Sequence, residues 1–314
     1  TVAKRVQART GVATNRDNVL IVPGGQSGLF AAHHATLDEG DTALFIDPFY
    51  ATYPGTIRGV GALPRAIATR PENGFQPQEA DIASAAVGAR TLLINSPNNP
   101  TGAVYGPATL EGIARAVIAQ DLWLISDEVY DTQVWQGRHI SPRSLPGMAE
   151  RVLVVGSMSK SHAMTGSRIG WVIGPEAVIE HMTTLSTHTT YGVPGFIQEA
   201  ARFALDAGPA LEHDIAIPFA RRRSIALDLL KTQNLVKAIP PEGAMYMMLD
   251  IRATGLSGNA FAERLLDEAL IAVMPGESFG NSAAGHIRVA LTIPDEAFAA
   301  AFSKLLGFAA SIAK

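Results

Sequence analysis

Between residues 19 and 157, short apolar runs alternate with segments whose apolar positions recur at helical spacing. The runs at 19–22, 43–46, 91–94, 123–126 and 152–155 are rich in Val, Ile and Leu and bounded by turn or polar residues, which predicts buried strands. Between them, positions such as Leu110, Ile113, Ala114, Val117 and Ile118 mark one apolar helix face. Strands alternating with helices predict an α/β fold, a mostly parallel central sheet covered by helices on both faces. In such sheets ligands collect at the carboxyl ends of the strands.

After Gly208 the pattern changes. A long helical stretch over 211–230 carries Arg221, Arg222 and Arg223, a triplet that reads as a solvated helix face. Strand-like runs follow at 246–251, 271–274 and 287–291, with helical segments at 259–269 and from Asp295 onward. The expected organisation is a large domain over 1–210 and a smaller C-terminal α+β domain over 211–314, with the 211–230 helix as connector. There are no internal repeats and no low-complexity segments.

Composition narrows the field without naming a function. With 314 residues, 47% of them hydrophobic, the chain can build a sizeable core. A net charge of −4 argues against nucleic acid or an anionic membrane as partner. No run approaches the roughly 18 apolar residues of a membrane span. The first nine residues carry charge without an apolar centre, so no signal peptide is visible. Cysteine is absent, which removes disulfides and thiol nucleophiles and fits a reducing compartment, so a cytoplasmic location is expected.

The chemistry begins with lysine, of which there are six. Lys4, Lys231, Lys237, Lys304 and Lys314 fall near the ends or where later amphipathic helices are expected. Lys160 stands alone mid-chain, in Ser157-Met-Ser-Lys160, just after a buried strand. An amine there is costly to bury unless paired or chemically used, and Schiff-base chemistry is one such use. Arg168 follows eight residues later, with a planar fork suited to phosphate, and Ser157 can add a hydrogen bond. Upstream, Val22-Pro-Gly24-Gly25-Gln26-Ser27-Gly28 reads as strand, glycine turn and helix start, whose free N–H groups favour an anion. It lacks the Gly-Lys-Ser/Thr ending of a nucleotide P-loop, so a nucleotide-binding reading is poor. Ser126-Asp127-Glu128-Val129-Tyr130 ends another strand; its aspartate suits a metal, a salt bridge or a cofactor. Without cysteine or a histidine pair at ligand spacing, no metal is expected. Asn95-Ser-Pro-Asn98-Asn99-Pro100-Thr101-Gly102 is a turn rich in prolines after the preceding strand.

Pro-Asn-Asn-Pro-Thr-Gly (97–102), Ser-Asp-Glu-Val-Tyr (126–130) and Ser157-Met-Ser-Lys160 through Arg168-Ile-Gly-Trp171 resemble the class I/II aminotransferases of pyridoxal 5′-phosphate (PLP) fold type I. The resemblance runs in order over essentially the whole chain and looks closest to the arginine–pyruvate transaminases. It implies Lys160 as the Schiff-base lysine and Asp127 facing the cofactor's pyridine nitrogen. It implies Tyr130 and Asn99 on the phenolic oxygen, Tyr50 stacked on the ring, and Ser157, Arg168 and the Gly25–Gln26 backbone on the phosphate. Asn99 and Arg288, in His286-Ile-Arg288-Val-Ala-Leu291, would meet the substrate, with Arg288 clamping its α-carboxylate. By pattern alone, an arginine alternating with apolar residues on a strand more often faces solvent. Pro275-Gly-Glu-Ser-Phe-Gly280 resembles the family's loop near the substrate.

The implied reaction moves an amino group from an L-amino acid to a 2-oxo acid by a ping-pong route, with the freed Lys160 amine as general base. Arginine and pyruvate are the substrates of the branch it most resembles. A homodimer is implied, as is a region of several tens of residues ahead of this point in full-length members, shared between the small domain, the substrate cover and the dimer contact. Two rivals use the same constellation: a C–S β-lyase, which releases pyruvate and ammonia without an acceptor, and a non-catalytic PLP-binding regulatory domain. The regulators carry a helix-turn-helix module ahead of this fold, and none is visible in these residues.

Overall fold

A computed structural model describes residues 1–313. The strands β1 (Val19–Val22), β2 (Thr42–Asp47), β3 (Leu63–Ala68), β4 (Ala89–Asn95), β5 (Trp123–Asp127), β6 (Val152–Ser157) and β7 (Gly170–Ile173) form one sheet in the order β1-β7-β6-β5-β4-β2-β3. The pairs from β3 through β6 are parallel; β7 runs against both β6 and β1. The sheet is therefore mostly parallel, with one reversed strand.

Alternation along the buried strands explains the helical layers, since successive side chains point to opposite faces. Leu44, Ile46, Leu92, Ile94, Leu124, Val152 and Val154 join one core. Ala43, Phe45, Leu93, Ile125, Leu153 and Val155 join the other. In chain order the helices are α1 (Val2–Thr10), α2 (Gly25–Thr36), α3 (Tyr53–Arg58), α4 (Glu79–Ala86), α5 (Pro107–Ala119), α6 (Met158–Ser161), α7 (Glu176–His188), α8 (Gly195–Asp206), α9 (Pro209–Leu230), α10 (Gly258–Ala269) and α11 (Asp295–Ile312). The first core takes in residues of α1, α4, α5 and α8, and the second those of α2, α3 and α7.

A second sheet, β10-β11-β9-β8, is antiparallel throughout and built from β8 (Lys237–Ile239), β9 (Tyr246–Asp250), β10 (Met274–Pro275) and β11 (His286–Ala290). It shares a separate core with α10 and α11, centred on Phe261, Leu265, Phe298 and Phe302. Among the described residues no helix is long and apolar enough to cross a membrane.

Several local expectations need correction. The strand expected at 271–274 shrinks to Met274–Pro275, because α10 ends on Leu270 in the left-handed region and the chain meets β11 only at Met274. Lys237 lies on β8, not on a helix. The arginine triplet is not a solvated face. Arg221 does pair with Asp295 at the surface, but Arg222 is half-buried, donating to Asp295 Oδ1 and to the Leu291 carbonyl, each at 2.9 Å. Arg223 donates to the Pro241 carbonyl at 2.6 Å. These bonds fasten α9 to the second sheet and to α11. Strands β3 and β7 were not expected from the sequence, although β7 is a short apolar run, Gly-Trp-Val-Ile. β3 is an exposed edge holding Pro64, and β7 begins inside the Arg168–Trp171 motif and runs two residues past it.

Candidate active site

At the carboxyl ends of β4, β5 and β6 lies a cavity of about 220 Å³. Gly25, Gln26, Tyr50, Asn99, Asp127, Tyr130, Ser157, Lys160 and Arg168 all line it, although they come from stretches more than a hundred residues apart in sequence. Arg288 reaches the same place from β11: its Nη1 donates to Asn99 Oδ1 at 2.8 Å. The arginine expected to point to solvent on pattern alone is instead held between two aromatic rings, 4.2 Å from the Tyr246 centroid and 4.5 Å from that of Phe279.

Asp127 is the one acid among the described residues that line the cavity. It is buried, and burial pushes its carboxyl up to about 6, against the pull of two hydrogen bonds. Those come from the Tyr53 hydroxyl to Oδ2 at 2.7 Å and from the Val129 N–H to Oδ1 at 3.2 Å. Burial and the neighbouring Asp127 push the Tyr53 hydroxyl well above its ordinary range, so it stays protonated and can only donate to that oxygen. Tyr130 is likewise pushed up by burial, and its hydroxyl lies 3.4 Å from that of Tyr246.

The opposite end of the cavity is cationic. Gly24 ends the β1 turn at φ 86°, and a Cβ there would sit 2.3 Å from Arg168 Nη2. The guanidinium thus lies against bare backbone at the start of α2. Arg168 itself takes a left-handed conformation, φ 50°, after a short 3₁₀ turn at Thr165–Ser167. Left-handed backbone at a non-glycine residue is sparsely populated and tends to occur where function fixes it. One of its nitrogens donates to the Thr165 carbonyl at 2.8 Å. Neither Arg168 nor the Lys160 amine has a carboxylate partner among the described residues. The Ser157 hydroxyl accepts the Ser159 N–H at 3.1 Å, capping the turn that carries Lys160. The Gln26 side chain is occupied with Thr56 and Thr52, which leaves its backbone N–H, at the helix start, as the group facing an anion.

This donor set fits PLP. A guanidinium and a helix N-terminus suit a phosphate, an amine without a partner suits a carbonyl, and a buried carboxylate suits a pyridinium nitrogen. Tyr50 stands at the rim, 37% exposed and edge-on to Tyr53, with a ring face open to a planar ligand.

Sequence reasoning missed Tyr53, Asn95, Tyr246 and Phe279. Asn95 is 2% exposed and ends β4 beside Asp127. Its amide donates to the Asp127 carbonyl at 3.0 Å and its oxygen accepts the Asn99 N–H at 2.8 Å. Its signal was present, a polar residue closing a run of buried apolar ones.

The family model described as aminotransferase class I and II matches residues 1–305. Over 297 residues the chain is 43% identical to the arginine–pyruvate transaminase of Pseudomonas aeruginosa, covering 94% of this chain and 75% of that one. It is 35% identical over 313 residues to the aspartate/prephenate aminotransferase of Thermus thermophilus, covering 97% and 80%. Among solved structures, the Thermus thermophilus aspartate aminotransferase with maleate superposes with a TM-score of 0.92 at 34% identity, covering 98% of this chain and 80% of that one. The aromatic aminotransferase of Pyrococcus horikoshii superposes at 0.93 with 30% identity, covering 99% and 84%.

Proposed function

Since the chain belongs to the class I and II aminotransferases, a family that implies PLP as cofactor, we propose that it transfers the amino group of L-arginine to pyruvate in a ping-pong cycle. The observation that carries the reading is a lysine amine that has no carboxylate partner among the described residues, sharing one cavity with a buried carboxylate and a guanidinium likewise without one. The choice of arginine and pyruvate rests on the 43% identity to the Pseudomonas aeruginosa enzyme of that name.

In this reading Arg168, Ser157 and the Gly25 and Gln26 N–H groups hold the cofactor phosphate. Asp127, whose ionised form is favoured by the hydrogen bonds from Tyr53 and Val129, would hold a proton on the ring nitrogen. Tyr130 and Asn99 would donate to the phenolic oxygen, and Tyr50 would cover the ring. Arg288, oriented by Asn99 and the two rings, takes the substrate carboxylate as a bidentate pair. When bound, PLP supplies an electron sink for the charge left as the substrate Cα loses its proton. Lys160 would be the attachment point for the cofactor, and its free amine would be the base that takes the proton from the substrate Cα and returns it.

The same reading assigns residues 1–210 to a cofactor-binding domain and 211–314 to a small domain joined by α9. It also assigns a homodimer as the working form. It takes the cytoplasm as the place of the reaction, in keeping with a sequence free of cysteine.

The test is alanine formation from L-arginine and pyruvate by PLP-loaded protein, with borohydride fixation mapped by peptide mass. Turnover that requires pyruvate, with PLP fixed on Lys160, supports the reading. Turnover of aspartate or aromatic donors but not arginine would discard the substrate and keep the class. Pyruvate and ammonia released from cystathionine without a 2-oxo acid acceptor would replace the reaction by β-elimination.

A further inference from the structure

The carboxyl end of β2 and the loop ahead of β11 meet at one side chain that the site description has not used. Asp47 is 4% exposed. Its Oδ2 accepts the Asn281 N–H at 3.1 Å, and both carboxylate oxygens lie 3.3 Å from the Ser282 nitrogen. Two N–H groups converging on one buried carboxylate make a charge-assisted anchor. The loop can approach this closely because Gly280, at φ 114°, has no side chain. A Cβ there would sit 2.1 Å from Asp47 Oδ1. Asp47 is itself held, since its carbonyl accepts both the N–H and the hydroxyl of Thr69 at 2.9 and 2.7 Å.

Both directions along the chain from this anchor lead into the site. Two residues on, the Phe49 N–H donates to the Phe279 carbonyl at 2.9 Å, and the chain continues to Tyr50 and Tyr53. On the loop side, Phe279 is the fully buried ring 4.5 Å from the Arg288 guanidinium. The other restraints on Arg288 are the Tyr246 ring and Asn99. The loop therefore supplies one of three contacts that fix the arginine, and Asp47 supplies the charge that fixes the loop.

We propose that Asp47 is a positioning residue for substrate carboxylate binding: it pins the 279–282 segment to the end of β2, holds Phe279 against Arg288, and so sets the guanidinium where the amino acid's carboxylate is taken. This rests on the reading of Arg288 as the carboxylate clamp. Asp47 does not line the cavity; its effect passes through Phe279. Losing the anchor frees the loop and widens the orientations open to the arginine, which weakens carboxylate binding while leaving the cofactor end intact.

The experiment compares Asp47→Ala, Asp47→Asn and Arg288→Leu with the wild type. Kinetics use L-arginine with pyruvate and, in parallel, L-aspartate with 2-oxoglutarate; amide hydrogen exchange is followed in the cofactor-free protein. Asp47→Ala is expected to raise KM for donor and acceptor by about tenfold with kcat changed less than about threefold, the loss of a charge-assisted hydrogen bond. Asp47→Asn, which keeps one acceptor oxygen but not the charge, recovers part of that. Exchange at the Asn281 and Ser282 amides accelerates in Asp47→Ala while β4 and β5 amides keep their wild-type rates, and PLP fixation on Lys160 is unchanged. A raised KM in Arg288→Leu with an unchanged KM in Asp47→Ala overturns the inference alone. An unchanged KM in Arg288→Leu overturns the clamp reading and the inference with it. Faster exchange throughout the sheet, or kcat falling as far as KM rises, would show that Asp47 serves only general stability, and also overturns it.

Discussion

Replacing Tyr53 by phenylalanine removes one hydroxyl from a buried site and almost no volume. The hydroxyl donates at 2.7 Å to Asp127, whose carboxyl is already pushed up to about 6 by burial. What remains is the longer bond from the Val129 N–H at 3.2 Å. A hydrogen bond to a charged group contributes about 1.5–3 kcal/mol, which is about one to two pKa units. In the cofactor-free variant Asp127 should therefore titrate near about 7 to 8. The proposed reading has PLP binding to the ionised carboxylate. The ratio of wild-type to variant PLP affinity then depends on pH in a calculable way, and ionisations common to both proteins cancel. At about pH 9 both carboxyls are ionised and the ratio is near one; at about pH 5 it approaches tenfold to a hundredfold. Equilibrium binding of PLP, measured by absorbance or ultrafiltration across that range, checks the slope. A ratio that departs from one but does not change with pH would refute the reasoning, because Tyr53 would then act through packing and not through the charge on Asp127.

Three further outcomes follow from the same geometry. Asp127 has a folded-state pKa raised above the ordinary 3.8, so its contribution to stability is present below that value and is lost as pH rises through about 6. Cofactor-free wild type should lose up to about 3 kcal/mol between about pH 4 and 7 relative to Asp127→Asn, seen by urea denaturation at several pH values, and parallel pH profiles would contradict it. Asn95→Ala strands the Asn99 N–H and leaves the Asp127 carbonyl with only the longer bond from the Ser96 N–H at 3.3 Å, and should destabilise by about 1–3 kcal/mol, read from the denaturation midpoint. Arg222→Ala, which removes bonds to both Asp295 and the Leu291 carbonyl, should cost about 1–2 kcal/mol, whereas a truly solvated arginine would cost nothing measurable.

What was legible in the sequence and what was not divide along a physical line. The parallel sheet was readable because a strand buried on both faces must be a continuous apolar run, and the runs ending at Ile94, Ser126 and Val155 are of that kind. The exposed edge strand β3, with Leu63, Arg65 and Ala66 open to solvent, obeys no such demand and left no pattern. Asp127 at a strand end, and Lys160 and Arg168 in the turns that follow β6, stood out because their chemistry is unusual at such positions, whereas Arg288, in mid-strand, was singled out by resemblance alone. Their supports did not stand out. Asn95 and Asp47 act on backbone N–H and C=O groups, which every residue carries, so nothing in the partner's identity betrays the contact. Tyr53 bonds a side chain, yet an aromatic three residues beyond Tyr50 is indistinguishable in sequence from ordinary packing. The same reasoning explains the error over Arg222, where charge suggested solvent but the partners were a carbonyl and a carboxylate brought together only by the fold. A reading from sequence thus finds groups that act by what they are, and misses groups that act by where the backbone puts them. The residues to test next in this cavity are accordingly the buried polar ones that close a strand.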